Sequence, residues 1–398
     1  MSSRSALRRI VIAGGSTAGL AVARTLRQEG FDGQLLVVEP ELHPPYDRTT
    51  LSKDLMLGRS GVADIALLEE SALEDLDLQW YRGRRVAQLQ ADTRNVVLDD
   101  GSALAYDGLV LATGSSPRRL PLESTPDGVH VLRGLDDALT IRQALRTTRR
   151  FVLVGGGFVG LELAAAAIAA GAEVTVVEAD RAPLAQALGA EVGTAIARRH
   201  AELGVEIIVS SRAVEWVGAQ RLVGVRLDDG RCIAADLAVV GIGAIPNVGW
   251  LAGSPVLGLG QDGVSCDATL ATALPNVVAA GDIVRWPHPL AGRPVRIEHF
   301  EHAELSGAHA ARRLLNHESS GPYEPVPFVW SHQGDHVIHA AGFPAGGLRV
   351  NVVDGDLSAG PFAVTYHDAD RFVGVVTLDS PRIFRRLRRE LSSEGVAV

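Results

Sequence analysis

Ile10-Val11-Ile12-Ala13-Gly14-Gly15-Ser16-Thr17-Ala18-Gly19 runs from an apolar strand into a glycine-rich turn, and Phe151-Val152-Leu153-Val154-Gly155-Gly156-Gly157-Phe158-Val159-Gly160 repeats the pattern later in the same 398-residue chain. Each copy is followed by a helical stretch and a second apolar run that ends in an acid. Glu39 stands 39−19 = 20 residues after Gly19, and Glu178 stands 178−160 = 18 after Gly160. Glycines at this spacing let the backbone turn tightly and approach a pyrophosphate, whose charge then sits at the positive end of the next helix. The acid accepts the ribose hydroxyls. Two copies of strand, glycine turn, helix, strand and acid describe two nucleotide-binding βαβ units.

The repeat extends outward from the glycines. Val97-Leu98-Asp99-Asp100-Gly101 leads through Asp107 to the run Leu109–Ala112, as Arg226-Leu227-Asp228-Asp229-Gly230 leads through Asp236 to Leu237–Val240. Asp-Gly between alternating strands reads as a hairpin turn. The hairpins are offset by 229−100 = 129 residues but the glycine motifs by 155−14 = 141, so the first half holds 12 extra residues. The irregular stretch His43–Leu57, containing Arg48, Ser52 and Lys53, is the place for them, well sited to reach a cofactor such as a flavin that extends past its pyrophosphate. A later strand, Val277–Ala280, ends in Gly281-Asp282, as if the chain returned to complete its first domain.

Composition narrows the class. A hydrophobic content of 46% supplies buried cores for two or three domains, and a net charge of −9 argues against a whole-molecule role on nucleic acid or an anionic membrane. The first residues show no signal peptide, and the alanine-rich stretch Leu163–Ala170 is too short to span a bilayer, which points to a cytoplasmic protein. Cys232 and Cys266 have no CxxC or metal-ligand spacing and read as buried reduced thiols. His299 and His302 beside Glu298, Glu301 and Glu304 fit no tight ligand set, so no metal is expected. After Gly321 the prolines and alternating strands read as a separate C-terminal α+β domain closed by the helix Pro381–Leu391, with Arg382, Arg385, Arg386, Arg388 and Arg389 around its apolar positions.

Together these stretches resemble the two-dinucleotide-binding flavoproteins of the pyridine nucleotide-disulfide oxidoreductase-like fold, and within them the NADH-dependent ferredoxin reductases that serve dioxygenases and cytochromes P450. The resemblance rests on Pro45-Tyr46-Asp47-Arg48 to Leu51-Ser52-Lys53, Ala112-Thr113-Gly114, Gly155 to Glu162, Gly243-Ala244-Ile245-Pro246-Asn247, Gly281-Asp282, Glu298-His299-Phe300 and Trp330-Ser331-His332-Gln333, and it covers essentially the whole chain. It implies an α/β fold class: two Rossmann-like FAD- and NAD-binding domains plus a C-terminal α+β domain. The FAD domain would take residues 1–116 and 244–323, the NAD(H) domain 117–243 and the C-terminal domain 324–398.

The resemblance also assigns roles. Gly14, Ser16, Thr17, Ala18, Gly19 and Glu39 would hold the ADP half of FAD. Arg48, Lys53, Val86 and the turn Ala112-Thr113-Gly114 would approach the rest of it, and Asp282 its ribityl chain. Gly155, Gly157, Phe158, Val159, Gly160, Glu178 and Gly243 would hold NADH, with Glu178 favouring NADH over NADPH and Arg181 nearby tempering that preference. Trp330 and the segment Glu298-His299-Phe300 would close over the flavin ring. Lys53 and Glu162 would pair beside flavin N5 and are the expected catalytic residues. The chain departs from the family pattern at Ser16, in place of a middle glycine, at Thr49-Thr50 for Pro-Pro, at Phe300 for Trp and at His302 for Asn.

The implied partner is a small iron-sulfur ferredoxin, of the 2Fe-2S or a similar small-cluster kind, that feeds a cytochrome P450 or dioxygenase, with the protein a monomer or weak dimer. Disulfide reductases of this fold carry a redox cysteine where this chain reads Leu51-Ser52-Lys53, which disfavours thiol chemistry. The C-terminal arginines offer either a docking patch for an acidic partner or an ordinary solvated face. An NADH-sensing flavoprotein like the apoptosis-inducing factors, or a general NADH oxidase or diaphorase, are the alternatives.

Overall fold

In this computed structural model, which describes residues 7–122, 125–257, 262–316 and 320–394, the chain separates into two compact units. The first is assembled from Met1–Asp47, Ala66–Ser116 and Ile245–Pro327, the second from Arg48–Ile65, Pro117–Ala244 and Phe328–Val398.

The first unit is built on a five-stranded parallel sheet in the order Val277–Ala279, Gly108–Leu111, Arg9–Ala13, Gln34–Glu39, Leu78–Arg82. Parallel strands covered on both faces need near-continuous apolar sequence, and Ile10, Val11, Ile12, Leu109, Val110 and Leu111 are wholly buried. The helix Thr17–Gln28 follows the glycine turn and buries Leu20, Val22 and Leu26 in the core. The helix Phe300–Asn316 packs on it closely enough that a Cβ at Gly307 would lie 2.5 Å from the Ala18 carbonyl oxygen. The edge strand Val277–Ala279 comes from the returning segment, so the first domain is completed by distant sequence, as the Gly281-Asp282 stretch suggested.

The second unit repeats this plan. Its parallel sheet runs Val129–Val131, Leu237–Val240, Arg150–Val154, Glu173–Val177, Glu206–Ile208. The helix Phe158–Ala169 follows the second glycine turn. Each parallel sheet is accompanied by a three-stranded antiparallel meander, Val86–Gln90, Asn95–Leu98, Ala103–Ala105 in the first unit and Ala213–Val217, Gly224–Leu227, Cys232–Ala234 in the second, at the places of the Asp-Gly hairpins.

The C-terminal part is a five-stranded antiparallel sheet, Phe328–Gln333, His336–Gly342, Arg371–Leu378, Ala359–Asp368, Arg349–Asp356, with the helix Pro381–Glu394 against it. Its Ile338, Phe362, Tyr366 and Val376 share one apolar cluster with Leu161 of the helix Phe158–Ala169 and Val192 and Ile196 of the helix Ala190–Glu202. That shared core, with each large side chain contributing roughly 1.5–3 kcal/mol on burial, is why residues expected in the NAD and C-terminal domains fall into one compact unit. Of the extra stretch His43–Leu57, expected with the FAD domain, the part from Arg48 onward groups with the second unit, within Arg48–Ile65, because its side chains bond there, Lys53 and Ser52 to Glu162 and Arg48 to the Arg133 carbonyl.

One expectation is corrected. Cys232 is exposed, because it opens a short strand whose outward face meets solvent, so only Cys266 is partly covered; both thiols are free. No helix among the described residues is long and apolar enough to cross a membrane.

Candidate functional site

The two glycine turns have one geometry. Gly14 and Gly155 adopt φ of +109° and +108°, open to glycine alone, and a Cβ on them would be driven into the carbonyl oxygens of Ala112 and Gly241. Gly19 and Gly160 sit so close to the turn that a Cβ would strike the carbonyl oxygens of Gly14 and Gly155. These four glycines are demanded by the chain's own packing. Gly157 is different: its φ of −75° and ψ of 178° suit any residue, and a Cβ there would meet nothing nearer than the Gly241 carbonyl oxygen at 3.9 Å. The chain's own packing does not need a glycine at that point. Ser16 occupies the equivalent place in the first turn, with φ −80° and ψ −156°.

Both helices begin at these positions without a side-chain cap bond and without an acid in the first turn. The N–H groups of Thr17, Ala18 and Gly19, and of Phe158, Val159 and Gly160, lie in first turns, where helix geometry gives them no intrahelical acceptor and the dipole favours an anion. The acids are pinned opposite. Glu39 accepts the Gly15 N–H at 2.7 Å and the Glu41 N–H at 3.1 Å, and Glu178 accepts the Gly156 N–H at 2.7 Å and the Asp180 N–H at 2.7 Å. One oxygen of each carboxylate is bound to the glycine turn itself, so acid and turn are held as one piece.

Of the remaining residues expected around the first nucleotide, Val86, Ala112, Thr113, Gly114, Asp282, Glu298, His299 and Phe300 lie in the same unit, whereas Arg48, Lys53 and Trp330 fall in the second. Gly114 turns with φ +63°, and Thr113 is clamped by two bonds to Asn247, Oγ1 to its carbonyl oxygen at 2.7 Å and its own carbonyl oxygen to Nδ2 at 2.9 Å. Asp282 accepts a bond from Ser115 Oγ at 2.7 Å, and its carbonyl oxygen takes one from Arg296 at 3.0 Å. Val86 opens the meander, Glu298 pairs with Arg296, and Phe300 starts the helix behind them. Burial pushes His299 down to about 4. His302 lies flat on Trp286, ring centroids 4.9 Å apart, bonded to the Tyr323 hydroxyl at 3.0 Å and the Gly281 carbonyl at 3.3 Å, and burial pushes it down to about 4 as well. His302 is thus a neutral brace under the Gly281-Asp282 turn.

In the second unit Lys53 and Glu162 meet, Nζ to Oε1 at 2.9 Å, with side-chain exposures of 15% and 4%. Lys53 also donates to the Thr49 carbonyl at 2.9 Å. Glu162 accepts further bonds from Ser52 Oγ and, at 2.6 Å, from Ser331 Oγ. Arg48 donates to the Arg133 carbonyl at 3.0 Å, and Gly243 turns with φ +94° in open surroundings. Trp330 stacks on Phe328, 5.6 Å between centroids, and the alternation of the strand turns Ser331 and Gln333 inward from it.

The sequence pattern of the pyridine nucleotide-disulphide oxidoreductases matches residues 8–307. The chain belongs to that family. A reductase C-terminal pattern matches residues 328–397. Rhodocoxin reductase of Rhodococcus erythropolis is 34% identical over 390 residues, covering 97% of this chain and 90% of that one. The ferredoxin–NAD(+) reductase component of the p-cumate 2,3-dioxygenase system of Pseudomonas putida is 35% identical over 385 residues, covering 96% and 92%. Among solved structures, the covalent putidaredoxin reductase–putidaredoxin complex superposes with a TM-score of 0.92 at 31% identity, over 97% of this chain and 93% of that one.

Within this oxidoreductase family frame, the sequence motif Trp330-Ser331-His332-Gln333 named Ser331 and Gln333 but gave them no role, and His200 was passed over; all three are buried in a hydrogen-bonded run that ends on Glu162. The signal for the first two was period-2 alternation about Trp330. For His200, a helix residue with no motif around it, the sequence carries no signal.

Proposed function

We propose that this protein is a ferredoxin reductase that takes electrons from NADH and passes them, one at a time, to a small iron-sulfur ferredoxin serving a cytochrome P450 or dioxygenase. FAD belongs in the first glycine turn and NADH in the second. The observation that carries the reading is the pair of matching cradles, each an acid-pinned glycine turn at a helix start, in a chain aligned over nearly its full length with ferredoxin reductases.

FAD supplies, when bound, the exchange between a two-electron hydride and single electrons. The chain's residues bind and orient. Glu39 and Glu178 present carboxylates to ribose hydroxyls, and Glu178 disfavours the extra phosphate of NADPH by repulsion. Gly157 lets the nicotinamide nucleotide's pyrophosphate reach the backbone. Lys53, held at 2.9 Å by Glu162, offers a fixed positive charge on the segment expected beside the flavin ring, and no side chain is asked to act as a nucleophile or acid. Arg382, Arg385, Arg386 and Arg389 project into solvent from the last helix and form a basic face for an acidic partner, while Arg388 lies over Phe328 at 4.4 Å. Thiols outside any disulfide fit a cytoplasmic protein.

The test is NADH-driven reduction of cytochrome c by the purified yellow protein, with and without a panel of two-iron ferredoxins. The reading predicts turnover that rises about tenfold or more with a fitting ferredoxin. Slow flavin reduction with no stimulation by any acceptor would favour an NADH sensor instead.

A further inference from the structure

The carboxylate of Glu162 is the end of a longer buried chain of hydrogen bonds. Ser331 Oγ donates to Glu162 Oε1 at 2.6 Å, Gln333 Nε2 donates to Ser331 Oγ at 3.0 Å, and Gln333 Oε1 faces His200 Nε2 at 2.8 Å. Glu162, Ser331, Gln333 and His200 are 4%, 0%, 2% and 1% exposed. The proton positions follow from donor and acceptor chemistry alone. A carboxylate paired with Lys53 only accepts, so the Ser331 hydroxyl proton points at it. Its oxygen then has only lone pairs left for Gln333, which must present its NH2, leaving the amide oxygen for His200. His200 must carry its proton on Nε2. Its Nδ1 is buried and has no hydrogen-bond partner among the described residues, and loss of water pushes the imidazole pKa down, so the ring is neutral.

We infer that His200, Gln333 and Ser331 are positioning residues of the flavin-reducing site: a one-way run of donors that fixes the Glu162 carboxylate, and through it the Lys53 ammonium. Ser52, on the same turn as Lys53, grips the other carboxylate oxygen, so Glu162 cannot rotate without breaking bonds on both sides. The chain thereby ties the C-terminal strand Phe328–Gln333 and the helix Ala190–Glu202 to the electrostatics of the Lys53 charge. This inference rests on the reading that the Lys53–Glu162 pair serves the bound flavin.

The experiment uses the FAD-loaded full chain and follows flavin bleaching by NADH in stopped flow over a range of NADH concentrations, which separates the limiting rate from NADH affinity. His200→Phe and Gln333→Leu lower the limiting rate about tenfold while the NADH Kd stays within about twofold. His200→Gln, which restores a donor at that end, recovers the rate. Nitrogen-15 NMR of the wild-type histidines, independent of turnover and of any variant's folding, shows His200 as the neutral Nε2–H tautomer at neutral pH. A wild-type limiting rate in His200→Phe, equal loss in the Phe and Gln variants, or an Nδ1–H or doubly protonated His200 would each overturn the inference. If NADH fails to bleach the wild-type flavin, the reading of the site itself falls; if wild type bleaches and the variants match it, only the chain of donors falls.

Discussion

The two glycine turns share a backbone and differ in what surrounds them. Both pin an acid to the second glycine N–H at 2.7 Å, and both need glycine where the strand meets the helix. Yet the first carries Ser16 where the second carries the open Gly157, the first sheet takes its edge strand Val277–Ala279 from later sequence, and the second takes Val129–Val131 from just upstream. The helix after the first turn is backed by another helix braced by neutral histidines, whereas the helix after the second packs on an antiparallel sheet and carries Glu162. The two units share the geometry of turn and acid and differ in what packs around it.

The largest effect should ignore that difference. Gly19→Val and Gly160→Val both force a side chain into a carbonyl of the preceding turn, and each should cost about 3 kcal/mol or more, read as a fall in thermal midpoint. A large loss at one and none at the other would break the claimed equivalence.

Acid should come next, weighing most on the first unit, where His299 and His302 are pushed lowest. His302 ionises at about 4 when folded against an ordinary 6.5, so the unfolded chain binds more protons between those values. Its contribution is complete above pH 6.5 and is lost as the pH falls towards 4, by roughly 3 kcal/mol at most. His299, His288 and His309, also pushed down by burial, add in the same direction, as do His130, His200 and His339 in the second unit. Denaturant melts between pH 7 and 4.5 followed by tryptophan fluorescence, to which the stacked Trp286 contributes, should show this slope, and His302→Asn should flatten it.

Lys53→Met tests the feature found only in the second unit. It leaves Glu162 without its counter-ion and should slow flavin reduction by NADH about thirtyfold, some 2 kcal/mol; unchanged single-turnover reduction would remove the pair from the account. The smallest effect is on nucleotide choice. Glu178→Ala should move the NADH-to-NADPH ratio of kcat/KM about tenfold towards NADPH, and a ratio that stays put would assign discrimination to another residue, Arg181 first.

Much of this plan was legible because it rests on local rules. Positive φ and close backbone approach leave only glycine at Gly14, Gly19, Gly155 and Gly160, and the mismatch between the 129- and 141-residue offsets exposed the segment that carries Lys53. Ser331, Gln333 and His200 were not legible as a group, since a hydrogen-bonded chain assembled from a strand and a helix more than a hundred residues apart leaves no spacing to read. The merging of the C-terminal sheet with the second nucleotide domain was hidden for a related reason: Ile338 and Val376 look the same in sequence whether they face their own helix or another domain's. Cys232 misled because a cysteine's burial depends on which side of a short strand meets solvent.

The assignment of the cradles is open to one direct measurement, because Glu39 and Glu178 make matching bonds to the two glycine turns. Flavin content per chain, from visible absorbance of the purified protein, should be lost in Glu39→Ala and retained in Glu178→Ala. A yellow Glu39→Ala beside a colourless Glu178→Ala would contradict the account and reverse the two sites.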